Sequence, residues 1–276
     1  MKKLLKIEFT HCINSRSFKF VFSTLLFISL SGYLINCYEF YGNKLSFIRS
    51  AFEYSIIQGV YSRFLMETEL FLLPILACII YSDSYFMDAK LGTYKNIITR
   101  VNKKNYIIAK GIIVFIVTFF TFFIPLMLNQ LLCFIAFPIQ GYDNNYAIMP
   151  YDIGFQNYTK EFLFDLLRLQ SPFLYNMTYM IIISLCAALF ALLGYSIYFI
   201  YKKNRMSVIV GIFALYNGSI FILSLADLEK YSIINYLRPT LPGSIIILLF
   251  WMIALFIVST IIITKKGFHD EIGIED

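Results

Sequence analysis

Histidine is nearly absent from this sequence. His11 and His269, one near each end, are the two it has. That removes histidine-rich metal sites and histidine-dependent membrane proteolysis from consideration. No Gly-x-Ser-x-Gly nucleophile elbow occurs. No Gly-x-x-x-x-Gly-Lys-Ser/Thr phosphate loop occurs either, so the chain cannot bind and hydrolyse ATP by that device. Cys12, Cys37, Cys78, Cys133 and Cys186 are scattered, which reads as packing rather than metal ligation or disulfides. Charge is scarce too: 14% of the residues are Asp, Glu, Lys or Arg, against about a quarter in ordinary soluble domains. The net charge of +6 gathers at the ends of apolar runs, and no basic patch with interleaved aromatics forms a separate domain. Membrane orientation accounts for that charge, and nucleic-acid binding is not expected. Long linkers, low-complexity tracts and internal repeats are also missing, so residues 1–276 read as a single membrane domain.

What the chain has in quantity is apolar surface: 59% hydrophobic residues and a mean hydropathy of +0.71. Apolar runs of about 18 residues or more read as membrane spans. Six are expected, over Phe18–Tyr38, Phe64–Phe86, Tyr106–Phe137, Leu174–Tyr201, Ser207–Leu225 and Gly243–Thr264. The fold class is therefore an all-α polytopic membrane protein. Residues 1–17 are expected to form an interfacial amphipathic helix, not a cleaved signal peptide. Leu5, Phe9, Cys12 and Ile13 would share its apolar face. Lysines and arginines concentrate in 1–19, 83–110, 202–205 and 265–266. That side is expected to be cytoplasmic, with both termini there, as an even number of spans requires.

Several spans carry irregularities. In the second, Glu69 and Asp83 bracket a short apolar stretch containing Pro74. On a helix they lie about 21 Å apart, less than the roughly 30 Å hydrocarbon thickness. Either this span lines a polar pathway or subunit interface, or it is a short tilted helix with both carboxylates at headgroups. The third span is overlong: Gly111–Phe137, uncharged throughout, would make about 40 Å of helix. Pro125 is expected to kink it, and Asn129 and Gln130 fall near its outer interface. An extracellular loop is expected over 138–172, with an amphipathic helix at Thr159–Leu169. Ser184, Ala187, Ala188, Ala191 and Gly194 form a small-residue stripe for close helix packing in the fourth span. Asn217 in the fifth is expected to bond a neighbouring helix. The prolines of Arg238–Pro242 break any helix there, and the acidic tail from His269 reads as a solvated terminus.

The first inner loop, 83–105, is the most basic polar interval. It reads as a platform on which another protein pushes. It opens with acidic residues, passes a Gly-Thr pair and an apolar Ile97-Ile98 pair, and ends in a basic cluster. The plainer alternative is a solvated basic loop that merely sets orientation.

Six spans, an interfacial helix and this loop resemble the permease subunits of ABC-2 type ATP-binding-cassette exporters. The family pattern of an acidic residue, Gly-Thr, an apolar pair, a basic residue and a Lys entering the third span maps onto Asp88, Gly92-Thr93, Ile97-Ile98, Lys103 or Lys104, and Lys110. The family's proline is Val101 here. Pro172-Phe173-Leu174-Tyr175-Asn176, the small-residue fourth span and Lys202–Arg205 resemble permeases of antimicrobial-peptide (lantibiotic) immunity exporters. The resemblance implies a non-catalytic subunit with no cofactor of its own. ATP and Mg would belong to an ABC ATPase partner, in two copies, with a second permease subunit as homodimer or heterodimer. A short helix over Ala89–Thr99 would offer Tyr94, Ile97 and Ile98 to the ATPase, while Arg100, Lys103 and Lys104 hold acidic headgroups or acidic partner surface. The cargo would be hydrophobic or amphipathic, such as an antimicrobial peptide, and the location a bacterial plasma membrane. The competing expectation is a non-transport anchor, assembly factor or sensor.

Overall fold

The computed structural model describes residues 1–44, 48–139, 160–202, 204–239 and 241–268. Most of the expected outer loop, Lys203 of the expected inner turn, Thr240 and the acidic tail lie outside the described residues. Helix α1 spans Lys2–Asn14, and α2 spans Arg16–Glu39. Ser15 separates them: its backbone is extended, and its Oγ accepts from Phe18 N at 3.1 Å, capping α2. Helix α3 covers Arg63–Tyr81, α4 Ser84–Lys90, α5 Thr93–Ile98 and α6 Lys103–Ala136. Short α7 covers Asp165–Gln170, followed by α8, Pro172–Ile197, and α9, Arg205–Leu225. A short α10, Ile233–Leu237, precedes α11, Ile245–Ile262, which ends in a wider turn at Ile263–Gly267.

Among the described residues, α2, α3, α6, α8, α9 and α11 are the six helices long and apolar enough to cross a membrane. The chain is a multi-pass helical membrane protein. Helix α8 is the hub, packing against α3, α6 and α11. Its small-residue stripe is buried throughout, and a Cβ on Gly194 would stand 2.9 Å from Cys78 Sγ of α3. Close approach of α3 and α8 therefore depends on the missing side chain. Cys78 and Ser82 hydroxyl or thiol groups donate into carbonyls of α8, at Phe190 (3.5 Å) and Ala191 (2.9 Å). Helices α9 and α11 are peripheral. Leu215, Phe221, Ile246 and Phe250 are each more than half exposed and form faces suited to lipid tails.

Four local expectations change. The expected second span divides: α3 stops at Tyr81 and a new helix begins at Ser84. The expected Ala89–Thr99 helix is instead α4 and α5, parted at Gly92, whose φ of 73° is costly for any residue with a Cβ. Thr159, the first residue of the expected Thr159–Leu169 helix, lies outside the described residues; from Lys160 on, the helix is confined to α7. Phe164 caps α7 in a left-handed conformation, and Asp165, assigned to its polar face, is buried while Leu166 is exposed. Among the described residues Asn217 bonds no neighbouring helix; its amide donates to Phe213 O, one turn back on its own helix. Pro125 stays inside continuous α6.

Candidate functional site

The end of the bundle that carries α1, α4 and α5 is the basic end. There Lys110 of α6 is 1% exposed. Its Nζ lies 3.0 Å from Glu8 Oε2 of α1 and 2.8 Å from Asp88 Oδ2 of α4. Tyr81 OH donates to Glu8 Oε2 at 2.8 Å, and Tyr106 OH donates to Asp88. The ammonium also sits 5.3 and 5.2 Å from the ring centres of Tyr81 and Tyr106. A buried ammonium is tolerable only with such neutralisation and donors. One lysine thus ties the N-terminal helix, the platform and the longest span together. Thr93 Oγ1 adds a bond to Asp88 Oδ1 at 3.3 Å. The neighbouring Cys12 thiol is pushed up to about 12 by burial and by the Glu8 carboxylate, with Lys110 opposing, so it stays neutral.

Beneath the platform lies an aromatic stack. Tyr94 sits between Tyr85 and Tyr106, with ring centres 5.4 and 5.8 Å away, and Tyr85 in turn meets Phe199 at 4.5 Å. Tyr94 is 1% exposed, which corrects its expected role as a surface anchor: the ring fastens the platform to the bundle. Ile97 and Ile98 are half-buried and pack on the same core. The exposed apolar residue at the tip is Leu91, 69% exposed, beside Gly92 and Thr93. Arg100 is exposed; Lys103 is half-buried, and Lys104 stands 5.7 Å over the Phe268 ring. Val101 donates its backbone N–H to Ile97 O at 3.0 Å, a bond that a proline at this position cannot make. Between α1 and residues 96–101 runs a groove of about 630 Å³. Asp83 pairs with Arg205 Nε at 2.9 Å, and Arg205 also reaches Ser17 Oγ. Burial pushes the Asp83 carboxyl up, with Arg205 opposing.

Glu8 escaped the sequence reading. It is the sole acid of α1, and its partner lies about a hundred residues on. Its position one turn before Cys12 and one turn after Leu4 placed it on the buried stripe. Leu91 was passed over for the more conspicuous isoleucine pair.

At the far end, a non-helical segment over 51–62 enters the bundle. Ala51, Ser55, Ile56 and Ser62 are almost wholly buried. Irregular backbone survives among membrane helices only when protein satisfies its polar groups. Four buried amides do so. Asn36 of α2 donates to Tyr54 O at 2.7 Å. Asn129 of α6 accepts from Ile56 N at 2.8 Å, and Gln130 donates to Ala51 O at 3.1 Å. Asn176 of α8 donates to Phe52 O, Ser55 Oγ and Gln130 Oε1, and accepts from Gln58. Asn129 and Gln130, placed by depth alone at an interface, are the hinge of this cradle.

Glu69, read with Asp83 as one bracket, has a separate fate. It is 1% exposed, and among the described residues neither carboxyl oxygen has a hydrogen-bond partner. Glu69→Leu is therefore expected to raise the thermal unfolding midpoint of the detergent-solubilised protein, by about 1–3 kcal/mol of stability. A lowered midpoint would mean the carboxyl has a partner in the membrane.

Among the described residues, no group of His, Cys, Asp and Glu is arranged to hold a metal, and all five cysteines are free. No protein-family model, curated protein or solved structure matches the chain.

Proposed function

We propose that this chain is the membrane-spanning permease subunit of an ATP-driven exporter of the ABC-2 type. The observation that carries the reading is the platform α4–α5, fixed through Lys110 to α1 and α6. A lever whose tip is exposed and whose base is tied to α1 and α6 suits a subunit moved from outside the membrane. The excess of Lys and Arg at the basic end supports a cytoplasmic orientation for that end, and with it for both termini. Two ATPase subunits would supply ATP and Mg chemistry, and a second permease copy or relative would complete the pathway. The cargo is a hydrophobic or amphipathic compound, such as an antimicrobial peptide, in a bacterial plasma membrane.

In this reading Asp88 and Lys110 are positioning residues, and contact with the ATPase falls to Leu91, Gly92, Thr93 and Lys95 at the tip. Leu91→Asp is expected to abolish co-purification with the ATPase without changing membrane insertion, because the exposed side chain supports no internal packing. Pull-down of the tagged chain from native membranes tests it. A chain that emerges without any soluble ATPase favours the anchor, assembly-factor or sensor reading instead.

A further inference from the structure

Helices α6 and α11 both pack on α8, and they leave between them a cleft of about 230 Å³. Leu185 and Leu189 of α8 form its floor, Phe115 of α6 one wall, and Met252, Ile253 and Phe256 of α11 the other. All six side chains are apolar. Ile253 is 54% exposed and Phe256 51%, so the cleft opens outward. It lies midway along α8 and α11, two of the helices long and apolar enough to cross the membrane, so it opens onto hydrocarbon. In that medium an apolar cleft is filled by an acyl chain or by another helix.

Charge at the basic end decides between them. Lys104, Ile108, Ile112 and Phe115 fall on one stripe of α6, because eleven residues make about three turns. Ile108 and Ile112 are each more than a third exposed, so the stripe stays open from the cleft down to the lysine. Lys104 Nζ stands 5.7 Å over the ring of Phe268, where the α11 wall ends. Lys265 and Lys266, both exposed, come just before that ring. Phe115 lies about 16 Å along α6 from Lys104, and Phe256 about 13 Å along α11 from Lys265. Half the hydrocarbon thickness is about 15 Å. A cleft near the bilayer middle and cations at headgroup level are therefore one leaflet apart, the reach of one lipid molecule. A neighbouring helix would fill the cleft and leave the lysines unused. We propose that the cleft binds one phospholipid whose headgroup is net negative. Its acyl chain ends against Phe115, Leu185 and Leu189, and its phosphate sits among Lys104, Lys265 and Lys266. The site rests on the membrane-spanning fold alone and stands whether or not the chain belongs to an exporter.

Native mass spectrometry of the full-length chain, delipidated in mild detergent and titrated with phosphatidylglycerol or phosphatidylcholine, tests it. Phosphatidylglycerol is expected to bind more tightly. Lys104→Gln is expected to weaken it about fivefold, the effect of one cation near a membrane surface, and Lys104→Arg to leave it unchanged. Lys104→Gln, Lys265→Gln and Lys266→Gln together should bring phosphatidylglycerol down to the level of phosphatidylcholine. Ile253→Trp, at an exposed position, fills the cleft and should weaken both lipids while the chain still elutes as folded protein in size exclusion. Equal binding of the two lipids by the native chain overturns the proposal, as does phosphatidylglycerol binding unchanged in either the triple lysine variant or Ile253→Trp. A native dimer that Ile253→Trp dissolves with lipid binding intact would also overturn it, giving the cleft to a second copy of the chain.

Discussion

Lys110→Met is expected to destabilise the protein by about 3–5 kcal/mol, because it strands two carboxylates in a site built around one ammonium. Glu8 has 8% of its side chain exposed and Asp88 25%, so solvent relieves Asp88 in part and Glu8 very little. The thermal unfolding midpoint in detergent reads the loss. The matched control is the triple variant Lys110→Met, Glu8→Gln, Asp88→Asn, which removes the stranded charges and is expected to recover most of the midpoint. If the single and triple variants melt alike, the three groups do not act as a cluster. The single variant should also free α1, since the Lys110–Glu8 pair is the ionic link between α1 and α6. Protease cleavage near Ser15 would increase with it.

Asn176→Leu is expected to open the far end. It removes donors to Phe52 O, Ser55 Oγ and Gln130 Oε1 and the acceptor for Gln58. Each buried polar group left without a partner costs about 1–3 kcal/mol. The loss falls on one segment rather than on the helices, so local opening, not global unfolding, should report it. With Ser55→Cys introduced and Cys37 replaced by Ser, labelling by a water-soluble maleimide should rise roughly a hundredfold in Asn176→Leu. Unchanged labelling would show that Asn36, Asn129 and Gln130 hold the segment without α8.

The spans were legible because a 3.6-residue helix in lipid needs little more than a long apolar run, and each run is there. The small residues of α8 marked close helix packing, but not with what; that its partners are α3, α6 and α11 of the same chain is a tertiary fact. Ser15 shows where reading stops at local chemistry: the break between α1 and α2 is a cap, visible once the hydrogen bond to Phe18 N is seen. The buried cluster was half legible. Lys110 and Asp88 carried motif positions, but Glu8 pairs with Lys110 across a separation that no local pattern encodes. Tyr94 was misplaced because an aromatic in a polar loop looks exposed; what buries it is the stack of Tyr85 and Tyr106, set by tertiary packing. Residues 51–62 read as nothing in particular, since their signature is four amides on other helices. Asn217 failed the opposite way: an amide inside a span invites a partner, yet its own helix satisfied it.

The far-end cradle also bears on how the chain is made. Residues 51–62 leave the ribosome after α2, but Asn129 and Gln130 follow much later, and Asn176 later still. Until then, among the described residues, Tyr54 O has Asn36 and Phe52 O has the Ser55 hydroxyl, while Ala51 O has only water. A newly inserted α2–α3 hairpin must therefore keep this stretch wet, at the bilayer edge, and admit it only once α6 and α8 have arrived. A chain truncated before α8 is therefore expected to leave this segment open to protease cleavage, whereas the full chain conceals it.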